Sequence, residues 1–381
     1  MITKTAIKNA GKVLRTSDLD DPEYSHAYDV LAEYRQAHDA VLRIVNMRCR
    51  KIIETHFIKK NRFQVDDFFI AQRLKRLESI VIKLERFQNM GLETMQDIGG
   101  IRVMLPSLQD VALFIGKFPG MRSNIQIKKT FDYITTPKEE GYRSYHYVLE
   151  VPNPKNESFP RLKVELQVRT KVQHAWATAV EVAGFMQKQS FKTGDWHEDW
   201  KVFFELSSKV LILFENDDLF MNRNTSFKSS EILPQLTLIS ELKDYEKKGK
   251  FLQKLKHLNH SIRTVENWDT SKRIKGFYLI QEFEKQTNIL PIFQGEAFPY
   301  EDYIKLKELD LQKNKTGQIL KIEIDDIKKI KRAYPNFFGD ITAFVHFLEH
   351  VISYKFKNIK LSDPNTGEVL FEYDENKDTE S

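Results

Sequence analysis

A carboxylate, an amide and two cations alternate with apolar residues in the stretch 162–170, Leu-Lys-Val-Glu-Leu-Gln-Val-Arg-Thr. This period of two predicts a strand with one buried face. The apolar residues face the core in this interpretation. The other face carries Lys163, Glu165, Gln167 and Arg169. A solvated strand face has the same pattern, so the stretch needs partners before it indicates a site.

A second carboxylate, Asp97, stands just before another predicted strand, 101–105, in which apolar residues alternate. The glycines at 99 and 100 allow a close backbone approach at the start of that strand. Asp97 therefore lies at a strand mouth, which is a usual place for a metal-binding carboxylate. An aspartate that only forms a turn is the alternative.

Cations precede this carboxylate in a segment that the pattern predicts to be a helix, 69–90. Lys75, Ser79 and Lys83 are spaced by four, beside an apolar stripe at 74, 77, 81 and 84, and Arg73 and Arg76 flank them. Such a helix suits packing on a sheet while it offers cations to a phosphate chain. A surface helix with ordinary lysines is the alternative.

Aromatic and basic residues are interleaved in the stretch 132–146, which Pro137 and Gly141 mark as a loop running into a strand, 145–151. The residues concerned are Lys138, Tyr142, Arg143 and His146. Rings that stack on bases and cations that hold phosphates are the chemistry of a nucleotide site. A hairpin edge decorated with aromatics is the alternative.

The elements that must position these residues alternate between helix and strand. Helices are predicted at 23–58 and 196–214, with another directly after residue 170, whereas residues 1–20 are weakly patterned. A polar stretch marks a domain boundary, so we expect domains at 1–215 and 236–381 joined by a linker at 216–235. In the second domain the pattern predicts a basic helical segment at 240–265, strands at 276–283, 289–293 and 318–324, and helices at 325–334 and 341–353.

Composition favours a soluble protein of two domains, with 381 residues, 41% of them apolar and 30% charged. We expect a cytoplasmic protein that does not act at a membrane, because the apolar runs are short and residues 1–15 lack the apolar centre of a signal peptide. Cys49 is the single cysteine, which excludes a disulfide or a cysteine-based zinc site within the chain.

The net charge of +5 is concentrated in two segments. Residues 43–62 hold seven bases and one acid, and residues 241–275 hold ten bases and five acids. The last stretch, 371–381, is acidic. The two basic clusters suggest a phosphate-rich partner. Solvated helix faces are the alternative.

Four of these stretches occur in a fixed order, and together they resemble the synthetase domain of RelA/SpoT-type alarmone synthetases over about residues 25–215. They read Arg73-x-Lys75…Ser79…Lys83, Asp97-Ile-Gly-Gly-Ile-Arg102, Asp132-Tyr-Ile…Pro137-Lys138…Gly141-Tyr-Arg-Ser-Tyr-His146 and Val164-Glu-Leu-Gln-Val-Arg-Thr170. No His-Asp motif of the companion hydrolase domain precedes them. The resemblance implies an α+β, nucleotidyltransferase-like mixed sheet flanked by helices, followed by a smaller α+β regulatory domain.

The resemblance also implies an activity and a role for each residue. The family transfers the pyrophosphate of ATP to a ribose 3′-hydroxyl, with Mg²⁺ held by Asp97 and Glu165. Glu165 could also accept the hydroxyl proton. Arg73 would stack on adenine, and the ATP phosphates would be held by Lys75, Ser79, Lys83 and Arg102. Tyr142 would stack on the acceptor base, and the rest of the acceptor side would be Lys138, Arg143, His146, Gln167 and Arg169.

Three further segments resemble one subgroup, the CapRel-type fused toxic small alarmone synthetases. They are Ala10-Gly-Lys-Val-Leu14, Val172-Gln-His-Ala-Trp-Ala-Thr-Ala-Val-Glu181 and Ala333-Tyr-Pro-Asn-Phe-Phe338. The subgroup implies a C-terminal antitoxin domain, a pseudo-zinc-finger without metal ligands. It also implies modification of the 3′-CCA end of tRNA during phage infection, with a phage protein as a possible trigger. The neutralising tyrosine-x-x-tyrosine motif is here Tyr334-Pro-Asn-Phe337, which retains the second ring and loses its hydroxyl.

Three functions therefore stay open at the level of sequence. The first is a pyrophosphokinase that acts on tRNA, which the basic clusters favour. The second is an alarmone synthetase that acts on GDP or GTP with the same residues. The third is a catalytically idle sensor, and the presence of both Asp97 and Glu165 argues against it.

Overall fold

The structure is a computed structural model that describes residues 3–62, 67–120, 124–153, 160–186, 198–216, 229–259, 263–265, 276–283, 286–292, 300–314, 317–324, 340–353, 359–362 and 369–373. The chain divides into two compact units. The first consists of 1–136, 144–171 and 261–338, and the second of 137–143, 172–260 and 339–381. These boundaries differ from the expected division at 215 and 236, which stays a prediction about the functional parts of the chain.

The first unit is built on one mixed sheet. In chain order its strands are β1 Phe69–Leu74, β2 Gly99–Leu105, β3 Gln126–Asp132, β4 Tyr145–Pro152, β5 Arg161–Thr170, β6 Arg263–Val265, β7 Gly276–Phe283, β8 Gln286–Ile292 and β9 Gly317–Ile324. Their order across the sheet is β3-β4-β5-β2-β1-β9-β7-β8-β6. Strands β2 and β5 are parallel, as are β6 and β8, and the other neighbours are antiparallel. The expected mixed α+β sheet is confirmed.

The helices, in chain order, are α1 Lys4–Thr16, α2 Pro22–His56, α3 Leu77–Arg86, α4 Leu108–Lys117, α5 Lys171–Met186, α6 Glu198–Glu215, α7 Ser229–Gly249, α8 Phe251–Asn259, α9 Tyr300–Asn314 and α10 Thr342–Ser353. The expected helices at 23–58, 196–214 and 341–353 are confirmed by α2, α6 and α10. Helix α2 begins at Pro22 after Asp21, whose carboxylate accepts a bond from the Glu23 amide at 2.8 Å, a common start signal. The helix expected at 325–334 lies outside the described residues.

One local prediction was wrong, and one helix was not predicted. Residues 69–74 form strand β1 and not the first part of a helix, because they pair along their whole length with β2, which supplies the backbone hydrogen bonds. Only Leu77–Arg86 is helical in that segment. The weakly patterned N-terminus forms α1, in which Ile7, Ala10 and Leu14 are buried on one face.

The core of the first unit lies between the sheet and helix α2. The alternating residues Leu162, Val164, Leu166 and Val168 of β5 are all buried, as their period predicts. Gly99 lies close to α2, because a Cβ there would lie 3.2 Å from Leu42 and 3.3 Å from His38. The tight fit at residue 99 explains a glycine at the start of β2.

The sheet also includes strands from the C-terminal half of the chain. Strand β9 pairs with β1, with Gln72 opposite Glu323 and Arg73 opposite Ile322. Helix α9, which the sequence pattern did not predict, packs on α2 through Glu308, a buried residue whose carboxylate contacts Arg35 and Tyr28. These strands therefore continue the sheet that carries the catalytic candidates.

The second unit is mostly helical, with a two-stranded sheet of β10 Ile359–Ser362 and β11 Val369–Tyr373. Its core is rich in aromatic rings, and Trp176 donates a bond from Nε1 to the Phe204 carbonyl at 2.9 Å. Gly141 has φ +93°, and a Cβ there would lie 2.7 Å from Ser208 of α6. None of the described helices is long and apolar enough to cross a membrane.

Candidate active site

One face of the sheet carries most of the predicted site residues of the first unit. Residues opposite each other on paired strands share a face. Glu165 of β5 lies opposite Gly100 of β2, and Gly100 lies opposite Arg73 of β1. Gln167 lies opposite both Arg102 of β2 and His146 of β4. The register therefore places the adenine, phosphate and acceptor candidates on one surface.

Gly100 leaves open space beside Glu165. A Cβ at residue 100 would meet only the Arg73 carbonyl oxygen, at 4.0 Å. The backbone φ of Gly100 lies outside the left-handed region, so a glycine is not needed here for the backbone conformation. Its effect is to leave the space beside Glu165 free of a side chain. A substrate phosphate or a metal ion can approach the carboxylate of Glu165 across this gap.

Asp97 is held by two lysines. Its Oδ2 lies 2.9 Å from Lys75 Nζ and 3.0 Å from Lys83 Nζ. Lys75 follows β1, where its amide donates to the Ile98 carbonyl at 2.8 Å, and Lys83 projects from α3. Burial alone would raise the pKa of Asp97, but the two ammonium charges outweigh it and hold the pKa below its ordinary value. Asp97 is therefore ionised at neutral pH.

Glu165 is held from the other side. Its Oε1 lies 3.1 Å from His146 Nδ1, and its Oε2 accepts a bond from Gln167 Nε2 at 2.9 Å. Burial favours the protonated acid, but the bond and charge of His146 and the bond from Gln167 outweigh it and lower the pKa of Glu165 to about 2. The site thus presents two carboxylates that stay charged at neutral pH.

Arg169 supports this arrangement from below the surface. It is 2% exposed, and its Nη2 donates to Gln167 Oε1 at 2.8 Å. Arg169 therefore orients the amide that in turn orients Glu165. Its expected role on the acceptor side is indirect in this geometry.

The remaining phosphate and adenine candidates are half-buried. Arg73 lies on β1, Ser79 in the first turn of α3 and Arg102 on β2. The corrected start of α3 changes how they are presented. Arg73 projects from a strand and Lys75 from the strand-to-helix connection, so the row of cations does not lie on one helix face.

Three acceptor candidates belong to the second unit. The Lys138 ammonium lies 5.3 Å from the centre of the Tyr142 ring, and the Lys138 amide donates to the Tyr142 carbonyl at 3.1 Å. Arg143 is buried in an ion pair with Glu215 at the end of α6. That pairing assigns Arg143 a structural role, and its contact with an acceptor stays a prediction. Tyr334 and Phe337 lie outside the described residues.

Tyr133 is a residue at the site that sequence reasoning did not select. Its ring meets the His146 ring edge-on, with centres 5.2 Å apart and planes at 90°. Burial and the charge of Glu165 both raise the pKa of its phenol. The signal was present in the Asp132-Tyr-Ile motif, where Asp132 accepts bonds from the amides of Ile134 and Thr135 and fixes the turn.

The residues present suit a magnesium ion. Oδ1 of Asp97 is buried and has no hydrogen-bond partner among the described residues, so it is available to a cation. Within the described part of the chain no group of three or more His, Cys, Asp or Glu is placed to hold a metal. Magnesium commonly binds one or two carboxylates together with substrate phosphates and water, so a pair of carboxylates is sufficient.

Comparison with known proteins finds a family model that matches part of the chain. Residues 72–192 match the model described as "Region found in RelA / SpoT proteins". The chain is 35% identical over 112 residues to GTP pyrophosphokinase YjbM of Bacillus subtilis, covering 29% of this chain and 53% of that protein. It is 33% identical over 111 residues to GTP pyrophosphokinase YwaC of the same organism, covering 28% and 52%. The chain thus spans about half the length of these curated relatives.

Solved structures with a similar arrangement include small alarmone synthetase 2 from Bacillus subtilis, with TM-score 0.42 and 22% identity over 50% of this chain and 98% of that one. Small alarmone synthetase 1 from the same organism, bound to its product pppGpp, gives TM-score 0.41 and 24% identity over 48% and 90%. Both curated relatives are named GTP pyrophosphokinases, that is, enzymes that transfer a pyrophosphate group. Residues 72–192 of the chain are therefore similar to the region found in RelA/SpoT proteins, and part of the chain is similar to GTP pyrophosphokinases.

Proposed function

We propose that this protein transfers the pyrophosphate of ATP to a ribose 3′-hydroxyl. The observation that carries the proposal is the pair of ionised carboxylates, Asp97 between Lys75 and Lys83 and Glu165 between His146 and Gln167. Transfer of phosphate groups depends on positioning and on neutralising charge. A site with two lysines and two carboxylates supplies both.

The reaction requires few covalent steps from the protein. The 3′-oxygen attacks the β-phosphorus of ATP, the bond from that phosphorus to the α,β-bridging oxygen breaks, and AMP leaves with the electron pair. Lys75 and Lys83 offer charge to the phosphates, and Arg73 offers a guanidinium plane to adenine. Magnesium, when bound, neutralises phosphate charge, and Asp97 and Glu165 would hold it.

The low pKa of Glu165 bears on its role. A carboxylate with a pKa of about 2 is a weak proton acceptor at neutral pH. Its constant negative charge suits a metal ligand or an acceptor of a hydrogen bond from the attacking hydroxyl. We therefore assign Glu165 to charge and positioning first, with transfer of the hydroxyl proton as its secondary role.

The finer proposal is that the acceptor is the 3′-CCA end of tRNA. Exposed basic residues at 43–62 support this proposal. A protein that binds a large polyanion such as tRNA needs contacts to phosphates beyond the reacting group. The exposed basic residues are Arg43, Arg50, Lys51, Lys59, Lys60 and Arg62. Arg48, counted in this cluster from sequence, is buried, bonded to the Phe118 carbonyl and 4.4 Å from the centre of the Phe118 ring. Arg48 therefore belongs to the core.

GDP or GTP is the second candidate acceptor. The names of the curated relatives favour it, because both are called GTP pyrophosphokinases. Release of AMP from ATP tests the common chemistry, because either acceptor must produce it. We expect AMP formation to require an added acceptor and Mg²⁺. Formation at the same rate without any acceptor would mean hydrolysis and would contradict the transfer reaction.

We further propose that the C-terminal half restrains the activity and that a phage protein releases it, as in a toxin fused to its antitoxin that acts in antiviral defence in the cytoplasm. The pairing of β9 with β1 at Gln72 and Arg73 supports restraint, because it joins this half to the strand of the adenine candidate. A domain on the same chain acts at high effective concentration. Tyr334 and Phe337 would compete for the adenine position. Tyr334→Ala should raise toxicity on expression, and unchanged growth with an intact fold would contradict the blocking role.

A further inference from the structure

An aromatic pair, the exposed Phe131 and the half-buried Tyr133, lies at the edge of the sheet beside the catalytic candidates. All seven residues of β3 are exposed, and Phe131 retains 38% of its surface exposure. Its ring is nearly parallel to that of Tyr133, with planes within 4° and centres 5.8 Å apart. Burying a large apolar ring is favourable, so a phenylalanine left exposed on an edge strand is a candidate contact for another molecule.

The register places Phe131 on the catalytic face. On β4, Phe131 lies opposite His146, and Lys129 lies opposite Val148. Val148 in turn lies opposite Glu165 on β5, so all these positions share one face of the sheet. Tyr133 connects the exposed ring to the site, because its own ring packs edge-on against His146, the partner of Glu165. The aromatic pair therefore extends outward from the catalytic carboxylate.

The chemistry of this edge fits a nucleic acid strand. Aromatic rings stack on bases with little dependence on sequence, and nearby cations hold the backbone. Lys129 is exposed and shares the face of Phe131 two residues away. The bulge in the β3–β4 register between Ile127 and Lys129 places Lys128 beside Glu150, at 3.4 Å, and so separates the two lysines. Phe131 can stack on a base while Lys129, two residues away on the same face, contacts the phosphate of that nucleotide.

We propose that the Phe131–Tyr133 pair stacks a nucleobase of a single-stranded polynucleotide acceptor, next to the nucleotide that reacts. The inference rests on the proposed function and specifies the acceptor class of the same site. The family resemblance already assigns one base to Tyr142. A second stacking surface has a use for an acceptor with several bases and none for a free nucleotide with one.

The test compares Phe131→Ala with a matched control on the same strand. Ile127→Ala removes another exposed apolar side chain, 36% exposed, at a position opposite Leu149 and thus on the other face of β3. We expect Phe131→Ala to lower kcat/KM for tRNA relative to that for GDP by about 5- to 150-fold, the loss typical of one stacked base. Ile127→Ala should leave this ratio unchanged, and Phe131→Trp should restore most of it.

A binding measurement separates this inference from the proposed function. Fluorescence anisotropy of a labelled single-stranded RNA ending in CCA, without ATP, should show weaker binding to Phe131→Ala than to the wild type and to Ile127→Ala. If tRNA gains no label from ATP but the binding difference is present, the proposed acceptor is wrong and the stacking surface stands. Equal RNA binding by Phe131→Ala and the wild type overturns the inference, whichever acceptor reacts.

Discussion

The buried ion pair between α9 and α2 allows us to predict how much local stability α9 loses when the pair is broken. Glu308 accepts bonds from Arg35 Nη1 at 2.7 Å and Nη2 at 3.1 Å and also contacts the Tyr28 hydroxyl. The side chains of Arg35 and Glu308 are 10% and 5% exposed. Removing one partner of such a buried pair costs about 3–5 kcal/mol. We therefore expect Glu308→Leu to lower the free energy of local unfolding of α9 by about 3–5 kcal/mol.

Hydrogen exchange measured on peptides of α9 and β9 is the direct assay. A loss of about 3–5 kcal/mol in local stability corresponds to exchange about 10²- to 4 × 10³-fold faster where opening is local. The control is Lys313→Ala on the same helix, whose 2.6 Å pair with Asp20 is exposed and contributes about 1 kcal/mol or less. If restraint acts through this contact, AMP formation by Glu308→Leu should also rise.

A double variant tests whether the ion pair itself carries the effect. Replacing both charged residues, Arg35→Met with Glu308→Leu, removes both buried charges and should recover most of the lost protection. Exchange in α9 that is unchanged in Glu308→Leu would refute the reasoning. So would equal acceleration in Lys313→Ala, because an exposed pair would then match the buried one.

Three further predictions concern the site and the basic cluster. Asp97→Asn and Glu165→Gln should each lower transfer by about 10²-fold or more with the helical circular dichroism unchanged, and near wild-type transfer would reject the assignment. Reversing the charges of Arg43, Arg50 and Lys51 should make tRNA modification less dependent on salt. The slope of its logarithm against the logarithm of salt concentration should fall by about 1 for each lost phosphate contact, and an unchanged slope would mean that these residues form a solvated face. Because the pKa of Glu165 is lowered to about 2 from 4.5, its ionised form stabilises the fold above pH 4.5 and this stabilisation is lost as the pH falls towards 2. The wild type should therefore lose up to about 3 kcal/mol relative to Glu165→Gln over that range in urea unfolding, and a constant difference would contradict the shift.

Much of the geometry of the candidate site could be predicted because strand periodicity is a local property. The alternation of apolar and polar residues around Glu165 predicted which side chains are buried. The two glycines after Asp97 predicted that this residue lies at the start of a strand. The extension of a helix back to residue 69 failed because pairing with β2 outweighs the local helical spacing. Long-range partners decide such cases, and a single sequence does not show them.

Contacts between distant residues account for what was missed. Arg48 counts as a surface charge in a composition, but its guanidinium bonds to Phe118, 70 residues away. The Arg35–Glu308 pair joins residues 273 apart. Tyr133 was visible in a motif, but its proximity to Glu165 depends on the turn at Asp132 and the pairing of β4 with β5. Spacing along the chain carries none of this information.

The identity of the acceptor is the central claim, and one labelling measurement tests it most directly. The full chain is incubated with γ-labelled ATP, Mg²⁺ and an equal mixture of tRNA and GDP, with periodate-oxidised tRNA, which lacks the 3′-hydroxyl, as the control. We predict label on the 3′ end of intact tRNA and none on oxidised tRNA. Label on GDP with none on tRNA would contradict the account and make the protein a GDP pyrophosphokinase.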